Sequence, residues 1–216
     1  MIVITGASDG LGREVAKLYA VDGTEVVNVS RRPSDVVDEN ILTDLSDSAD
    51  IAQAAKKILV MEETIDALIL CAGHFTGQLL GKIQPEVVEK TFQVNVASNI
   101  ELVSALIDRI KHDGTDVVVV VSTTGTKATS EFVYGSSKWA QRGFTLGLQQ
   151  ELKHTPCRVI SFCPGGMNTG LFLKGGEHVD TSVYMNPSEV AKCLKQLLEL
   201  PKNMEVSEIV INRKSL

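Results

Sequence analysis

The first sixteen residues combine a short apolar run, a glycine-rich turn and a helical pattern. Residues 2–4 are Ile-Val-Ile, which suits a strand buried on both faces of a parallel sheet. Gly6, Gly10 and Gly12 follow, and apolar residues then recur at helical spacing. This order of strand, glycine turn and helix restricts the chain to folds that begin with a tight β–α connection.

The glycine turn also predicts a phosphate site. Without a Cβ, the backbone can bend sharply and let a phosphate approach closely. The free N–H groups and the dipole of the following helix then favour the negative charge. Any tight β–α connection can use glycines, so an ordinary turn is the alternative. The predicted contact residues are Gly6, Ser8, Asp9, Gly10, Leu11 and Gly12.

Composition and charge limit the class of protein. The 216 residues are 44% hydrophobic, enough to bury one sizeable core. A net charge of −6 without a lysine/arginine run argues against nucleic acid and against an anionic membrane surface. No apolar segment approaches the ~20 residues of a membrane helix. Because residues 2–4 already form a predicted core strand, we expect no signal peptide and a cytoplasmic location.

The four cysteines and four histidines lack the spacing of a metal site. Three of the cysteines lie in or beside apolar runs, so buried free thiols in a reducing cytosol fit better than disulfides. We expect no bound metal.

Strands that alternate with helices predict a doubly wound α/β fold. Further strands are predicted at 25–29, 41–42, 65–70, 117–121, 158–163 and 208–211. Helices are predicted from a Ser46 cap to about residue 60, from Pro85 to Lys111, from Phe132 to Lys153, and after an Asn186 cap with Pro187 in the first position. The expected architecture is a single Rossmann-type domain over residues 1–216, with a parallel sheet of about seven strands and helices on both faces. Only about ten residues, including Pro33, separate the second and third strands. We expect no full helix there, which leaves that edge of the phosphate site open.

Tyr134 and Lys138 share one face of the predicted helix 132–153, with side-chain bases about 6 Å apart. A phenol has an ordinary pKa of about 10, and a neighbouring ammonium brings that pKa toward a useful range. Ser122 ends a valine strand, where side chains line the ligand crevice of a parallel sheet. Asn95 interrupts an apolar helical stripe, and we expect its buried amide to bond backbone or water. Each feature also has an ordinary structural explanation: a surface pair, a turn serine or a core amide.

Together these motifs resemble the short-chain dehydrogenase/reductase family, in order and nearly in spacing, from the first strand to the last. The matching residues are Thr5-Gly6…Gly10…Gly12, Cys71-Ala-Gly73, Asn95, Ser122, Tyr134…Lys138 and Pro164-Gly165…Thr169.

The resemblance implies catalytic roles for four residues. Tyr134 would protonate the carbonyl oxygen in reduction and act as the base in oxidation. Lys138 would bind the nicotinamide ribose and lower the tyrosine pKa. Ser122 would hold the substrate oxygen, and Asn95 would position a water that links Lys138 to solvent.

The resemblance also implies contacts to a nicotinamide dinucleotide. The glycine turn would take the pyrophosphate, and Thr169, after Pro164 and Gly165, would contact the nicotinamide amide. The implied contacts to the adenosine half are Asp44, Leu45, Ala72 and Gly73.

Two features depart from the family pattern. The family usually has Asn where Cys71 stands, and that Asn steadies the sheet, so the local geometry is in question. The segment from Ser122 to Tyr134 is one residue shorter than in many members. Thr123 is therefore an alternative to Ser122, although Gly125 favours Ser122.

The end of the second strand predicts which dinucleotide binds. An acid there would bond the 2′-hydroxyl of NAD, but this chain has Ser30-Arg31-Arg32. Two guanidinium groups bond a 2′-phosphate strongly, and the sequence offers their charge no other evident partner. Asp9 argues the other way, since some NADP-preferring members have a basic residue there. We expect NADP(H) to be preferred over NAD(H).

Three functions remain open. The first is NADPH-dependent reduction of a ketone or aldehyde to an alcohol, or the reverse. The second is a 3-oxoacyl-carrier-protein or pteridine-type reductase, for whose acidic carrier no basic patch is visible. The third is a non-catalytic dinucleotide-binding sensor or scaffold, which would not need the set Ser122, Tyr134 and Lys138.

The sequence leaves two alternatives for the segment 170–186 and two for the apolar surfaces of the long helices. Residues 170–186 include apolar residues and two glycines, so they form either a mobile lid over the site or a surface loop. Helices 85–111 and 132–153 carry more apolar surface than one sheet face covers, and the equivalent helices pair across a two-fold axis in the family. We expect a homodimer or homotetramer; the alternative is a monomer whose extra apolar residues pack internally.

Overall fold

The computed structural model describes residues 1–214, which form a seven-stranded parallel sheet between two layers of helices. The spatial order of the strands is 3-2-1-4-5-6-7. The strands are β1 (Ile2–Thr5), β2 (Val26–Ser30), β3 (Glu39–Leu42), β4 (Ala67–Leu70), β5 (Asp116–Val120), β6 (Val159–Pro164) and β7 (Glu208–Ile211). The predicted doubly wound sheet is confirmed, with strand ends that differ from the prediction by at most two residues.

The helices cover both faces of this sheet. They are α1 (Gly10–Val21), α2 (Ser48–Leu59), α3 (Pro85–Phe92), α4 (Ser98–Asp113), α5 (Phe132–Leu152), α6 (Leu171–Lys174) and α7 (Pro187–Leu198). None of the helices within residues 1–214 is long and apolar enough to cross a membrane. The strand order reverses between β1 and β4, and this switch point is where an open α/β sheet forms a crevice at the carboxyl ends of its strands.

Two hydrophobic clusters explain why the central strands are mostly apolar on both faces. Successive side chains of a strand point to opposite faces of the sheet. Val3 therefore packs in one cluster with residues of α2, α4 and α5, whereas Ile2 and Ile4 pack in the other with residues of α1 and α7. Each such side chain contributes about 1.5–3 kcal/mol through burial.

The first residue of α2 differs from the prediction. Asp47, not Ser46, caps this helix, because its carboxylate accepts from the backbone N–H groups of Ala49 at 2.7 Å and Asp50 at 3.3 Å. The Ser46 hydroxyl donates instead to Asp44 at 2.7 Å. The predicted cap of α7 is confirmed, since Asn186 accepts from the backbone of Ser188 at 2.9 Å.

The helix predicted from Pro85 to Lys111 is interrupted. A five-residue π-helical segment, Gln93–Ala97, separates α3 from α4. Two polar side chains donate hydrogen bonds to backbone carbonyls of this segment: Ser98 to Val94 and Asn99 to Asn95. The extra residue turns Asn95 into the interior, where it is fully buried.

The connection from β2 to β3 has no helix, as the sequence predicts. The amide of Asn40 holds it instead. Its oxygen accepts from the backbone N–H of Ser34 at 2.8 Å and from Asn28 at 2.9 Å, and its nitrogen donates to the Ser34 carbonyl at 3.1 Å.

Candidate active site

A cavity of about 800 Å³ lies at the carboxyl ends of the strands. This size is within the range of ligand sites in proteins. Every predicted contact residue except Asn95 lines it. These residues are Gly6, Ser8, Asp9, Gly10, Leu11, Gly12, Ser30, Arg31, Arg32, Asp44, Leu45, Ala72, Gly73, Ser122, Tyr134, Lys138, Pro164, Gly165 and Thr169.

The glycine turn of the cavity requires glycine at two positions for steric reasons. A Cβ on Gly12 would lie 2.5 Å from the carbonyl oxygen of Gly6, closer than any real contact. Gly6 has a φ of +80°, and a Cβ there would lie 3.0 Å from the Cα of Ala72. The turn therefore packs directly on the segment after β4, and its backbone is open to a ligand in the cavity.

Asp9 connects the glycine turn to two cations of the cavity. Its carboxylate accepts from the backbone of Gly10 at 2.7 Å, lies 3.4 Å from the Arg32 guanidinium, and pairs with the Lys174 ammonium of α6. Burial raises the Asp9 pKa, but these partners outweigh it, so the pKa lies below its ordinary value. The expectation that both arginines lack another partner is thus wrong for Arg32. Within the described part of the chain, Arg31 makes no ion pair.

Tyr134 and Lys138 meet on the inner face of α5. Both are buried, with 7% and 3% of their surface exposed, and the Lys138 Nζ lies 5.5 Å from the centre of the tyrosine ring. Burial raises the Tyr134 pKa above its ordinary value, and the carboxylate of Glu131 raises it further, whereas the nearby Ser122 hydroxyl lowers it. The lysine was expected to lower this pKa, but in the structure burial dominates.

Lys138 is held by two acceptors. Its Nζ donates to the Val120 carbonyl at the end of β5, at 3.1 Å, and to the side-chain oxygen of Gln141, at 2.6 Å. Burial lowers the Lys138 pKa to about 8. Gln141 is not among the residues predicted from the sequence, although its spacing of three residues from Lys138 puts both side chains on one helical face.

Asn95 lies behind the cavity and joins three segments. Its amide nitrogen donates to the carbonyl of His74 and to the hydroxyl of Ser137, both at 2.9 Å, and its oxygen accepts from the His74 backbone at 2.7 Å. The expected bonding of this buried amide to backbone is confirmed. The π-helical segment is thereby tied to α5 and to the segment after β4.

The questions raised by Cys71 and Thr123 also have structural answers. The Thr5 hydroxyl accepts from the backbone of Cys71 at 3.0 Å and of Ala72 at 3.1 Å, so β1 holds the segment after β4 in place. Burial raises the Cys71 pKa to about 12, which disfavours the reactive thiolate form. Ser122, rather than Thr123, has its hydroxyl near the Tyr134 phenol.

Aromatic rings enclose the cavity around Tyr134. Phe75 packs edge-on against Tyr134, with ring centres 5.0 Å apart, and against Phe172 at 4.9 Å. Phe172 in turn packs against Tyr184 at 5.7 Å. Segment 170–186 therefore lies over the cavity with an apolar underside, which agrees with the first of the two alternatives left by the sequence; whether it moves stays a prediction.

Glu131 directly precedes α5 and lines the same cavity as Tyr134. One oxygen of its carboxylate has no solvent contact and no hydrogen-bond partner in residues 1–214. Burial, and then Glu177, raise the Glu131 pKa above its ordinary value. In the same described range, no group of three or more His, Cys, Asp or Glu side chains is arranged to hold a metal ion.

The sequence of this chain is similar to those of known proteins. The family model described as short chain dehydrogenase matches residues 1–180. An uncharacterized oxidoreductase of Staphylococcus saprophyticus is 25% identical over 224 residues, which cover 97% of this chain and 95% of the relative.

Solved structures match over nearly the whole chain. A short-chain dehydrogenase/reductase from Vibrio parahaemolyticus is 28% identical with a TM-score of 0.85, over 100% of both chains. An alcohol dehydrogenase from the archaeon Thermococcus sibiricus, complexed with 5-hydroxy-NADP, is 24% identical with a TM-score of 0.86, over 97% of this chain and 95% of the other. With its sheet order, its glycine turn and a family match over most of its length, this chain belongs to the short-chain dehydrogenase family of oxidoreductases.

Proposed function

We propose that the protein transfers a hydride between NADP(H) and a small organic substrate, reducing a ketone or aldehyde to an alcohol or running the reverse reaction. One observation carries the proposal. Tyr134, Lys138 and Ser122 converge in the same cavity as the glycine turn. A proton donor and a dinucleotide cradle in one cavity suit hydride transfer coupled to protonation.

The residues of the cavity fit a nicotinamide dinucleotide. The cradle at Gly6 and Gly12 leaves no room for a Cβ, and the first turn of α1 offers backbone N–H groups to a pyrophosphate. Thr169, Pro164 and Gly165 would flank the nicotinamide. Asp44, Leu45, Ala72 and Gly73 would border the adenosine. The bound cofactor supplies the hydride.

The chain itself supplies the proton. The phenol of Tyr134 keeps its proton at neutral pH, since its ordinary pKa is about 10 and burial raises this pKa further. It can therefore donate to the oxygen of a carbonyl that accepts a hydride. The Ser122 hydroxyl would donate a hydrogen bond to the same oxygen. The ammonium of Lys138 would favour the phenolate that remains. Asn95 would support the lysine from behind the cavity.

Arg31 and Arg32 support a preference for NADP(H). The Asp9–Arg32 pair is long and exposed, and such pairs contribute at most about 1 kcal/mol. A 2′-phosphate would compete well for these guanidinium groups. Two proteins of the same fold were solved with such ligands: the Thermococcus sibiricus enzyme with 5-hydroxy-NADP, and a short-chain dehydrogenase from Sphingobium yanoikuyae with NADPH.

A substrate screen tests the proposal. The wild-type protein is mixed with NADPH and a panel of ketones and aldehydes while the absorbance of NADPH is followed. Binding of NADPH is measured separately by fluorescence. We expect binding in the micromolar range and turnover of at least one carbonyl compound. Tight binding without turnover of any compound would contradict the proposal and favour the non-catalytic dinucleotide sensor.

We also propose that residues 1–216 act as a single domain and that this domain forms a homodimer or homotetramer. The exposed apolar residues of α5 support this assembly, because Phe132, Trp139 and Leu146 are each 41–49% exposed. Exposed apolar side chains along one helix are typical of protein–protein interfaces.

A further inference from the structure

Gln141 is buried completely, on the same face of α5 as Lys138. Its side-chain oxygen accepts a hydrogen bond from the lysine ammonium at 2.6 Å. The second acceptor of that ammonium, the Val120 carbonyl, is more distant at 3.1 Å. Gln141 therefore makes the shorter of the two contacts that fix the end of the lysine side chain.

The polar side chain at this position is unfavourable apart from that contact. Within residues 1–214, the amide nitrogen of Gln141 has no acceptor. A buried donor without a partner costs free energy that an apolar side chain of similar size would not. The compensation lies in the amide oxygen, because a buried ammonium needs acceptors to stay charged.

The surroundings of Lys138 offer no stronger partner. The Tyr134 ring faces the ammonium from the same helix, and the thiols of Cys71 and Cys163 face it from the segment after β4 and from β6. The backbone at Gly73 is also close. In the described structure, Lys138 forms no ion pair with a carboxylate. The neutral oxygen of Gln141 is therefore the side-chain group that stabilises the ammonium.

We propose that Gln141 is a positioning residue for Lys138. The side-chain oxygen of Gln141 keeps the lysine ammonium charged and fixes its position in the wall of the cavity. The consequence for turnover rests on the proposed function, whereas the contact can be tested without cofactor or substrate. Removing the acceptor destabilises the ammonium and lowers the lysine pKa further. A carboxylate in its place raises that pKa.

Nuclear magnetic resonance of the protein labelled with ¹³C at the lysine Cε tests the contact. Lys138→Met identifies the resonance of Lys138. Gln141→Met keeps the length of the side chain and removes the acceptor, and Gln141→Glu replaces it with a carboxylate. We expect the titration midpoint of Lys138 to fall by about one pH unit in Gln141→Met and to rise by about as much in Gln141→Glu.

Thr145→Val is the matched control. Thr145 is also fully buried on α5, and its hydroxyl donates to the backbone carbonyl of Gln141 at 2.8 Å without contacting Lys138. We expect this variant to leave the midpoint unchanged. An unchanged midpoint in Gln141→Met, or an equal shift in Thr145→Val, would overturn the proposal.

The pH dependence of kcat/KM gives a second readout. We expect its alkaline limb to move to lower pH in Gln141→Met and to higher pH in Gln141→Glu, following the lysine midpoint. A uniform loss of activity with fixed limbs would indicate a packing role and overturn the proposal. Expected midpoint shifts in a protein that turns over no carbonyl compound would confirm the Gln141 contact and contradict the proposed function instead.

Discussion

At the scale of single residues, the proposed chemistry depends on two buried side chains whose ionised forms carry opposite charges. Burial disfavours the phenolate of Tyr134 and the ammonium of Lys138 alike, so it raises the first pKa and lowers the second to about 8. Near neutral pH the tyrosine keeps its proton and most of the lysine stays charged. This combination suits a proton donor beside a cation that stabilises its conjugate base.

Glu131 provides a test of how charge controls the phenol. Its carboxylate raises the Tyr134 pKa, so Glu131→Gln is expected to lower that pKa. In the proposed reaction, oxidation of an alcohol requires the phenolate of Tyr134, so its rate rises as the pH passes through the Tyr134 pKa. We therefore expect the acidic limb of kcat/KM for oxidation to move to lower pH, by about half a unit. Glu189→Gln removes the same charge on distant α7 and should leave the limb fixed; a shift to higher pH in Glu131→Gln would contradict the argument.

Arg31 and Arg32 test the cofactor preference. Loss of a charge-assisted hydrogen bond costs about 1.5–3 kcal/mol, so Arg31→Ala with Arg32→Ala should weaken NADPH binding by at least about tenfold. NADH lacks the 2′-phosphate and should bind as before. Fluorescence titration with both cofactors measures the two constants.

The matched control for this pair is Arg13→Ala. Arg13 lies on α1 and forms a bidentate pair with Asp35 outside the cavity. The Arg13→Ala substitution should leave the affinities for NADPH and NADH unchanged. Equal losses of affinity for NADPH and NADH in the double variant, or a wild-type preference for NADH, would show that the two arginines do not recognise the 2′-phosphate.

At the scale of secondary-structure elements, irregular hydrogen bonding determines where helices are interrupted and which residue caps them. The apolar spacing from Pro85 onward predicts a helix correctly but cannot show the π-helical segment Gln93–Ala97, because an extra residue in one turn leaves the composition unchanged. Asp47 replaces Ser46 as the cap of α2 for a similar reason. Adjacent residues both have suitable side chains, and the backbone path selects between them.

Asn95 is expected to stabilise the junction between the π-helical segment, α5 and the segment after β4. Asn95→Ala removes hydrogen bonds to His74 and Ser137 and leaves their buried groups without partners. We expect the free energy of unfolding to fall by about 2–4 kcal/mol, measured by urea titration. Asn99→Ala, which removes a single hydrogen bond to the Asn95 carbonyl, should have a smaller effect. A loss below about 1 kcal/mol in Asn95→Ala would contradict this role.

At the scale of the whole molecule, the parallel sheet with helices on both faces and the glycine turn could be predicted from the sequence. Because helices cover both faces of the sheet, the central strands are mostly apolar and can be recognised as such in the sequence. Because a Cβ at position 6 or 12 would collide with the backbone, both positions require glycine, which the sequence also shows. The predicted cavity residues come together because strand ends meet at one edge of the sheet. The contact of Asp9 with Lys174 depends on the positions of side chains in two distant segments, which spacing alone does not determine.

The assembly is tested on the exposed face of α5. Trp139 is 45% exposed there, and we expect Trp139→Glu to convert a dimer or tetramer to smaller species in light scattering coupled to size exclusion. Leu59→Glu makes the same kind of change on α2, where Leu59 is 41% exposed. It should leave the mass unchanged. A wild-type protein that runs as a monomer would contradict the proposed assembly.

The rate of hydride transfer in Tyr134→Phe tests the central claim most directly. This variant keeps the ring that packs on Phe75 and removes only the phenolic hydroxyl. Tyr19→Phe makes the same change at a buried tyrosine of α1, outside the cavity. In single-turnover reduction with saturating NADPH, we expect Tyr134→Phe to lose about 100-fold or more in rate with unchanged NADPH affinity, and Tyr19→Phe to keep the wild-type rate. A Tyr134→Phe rate equal to that of the wild type would contradict the account.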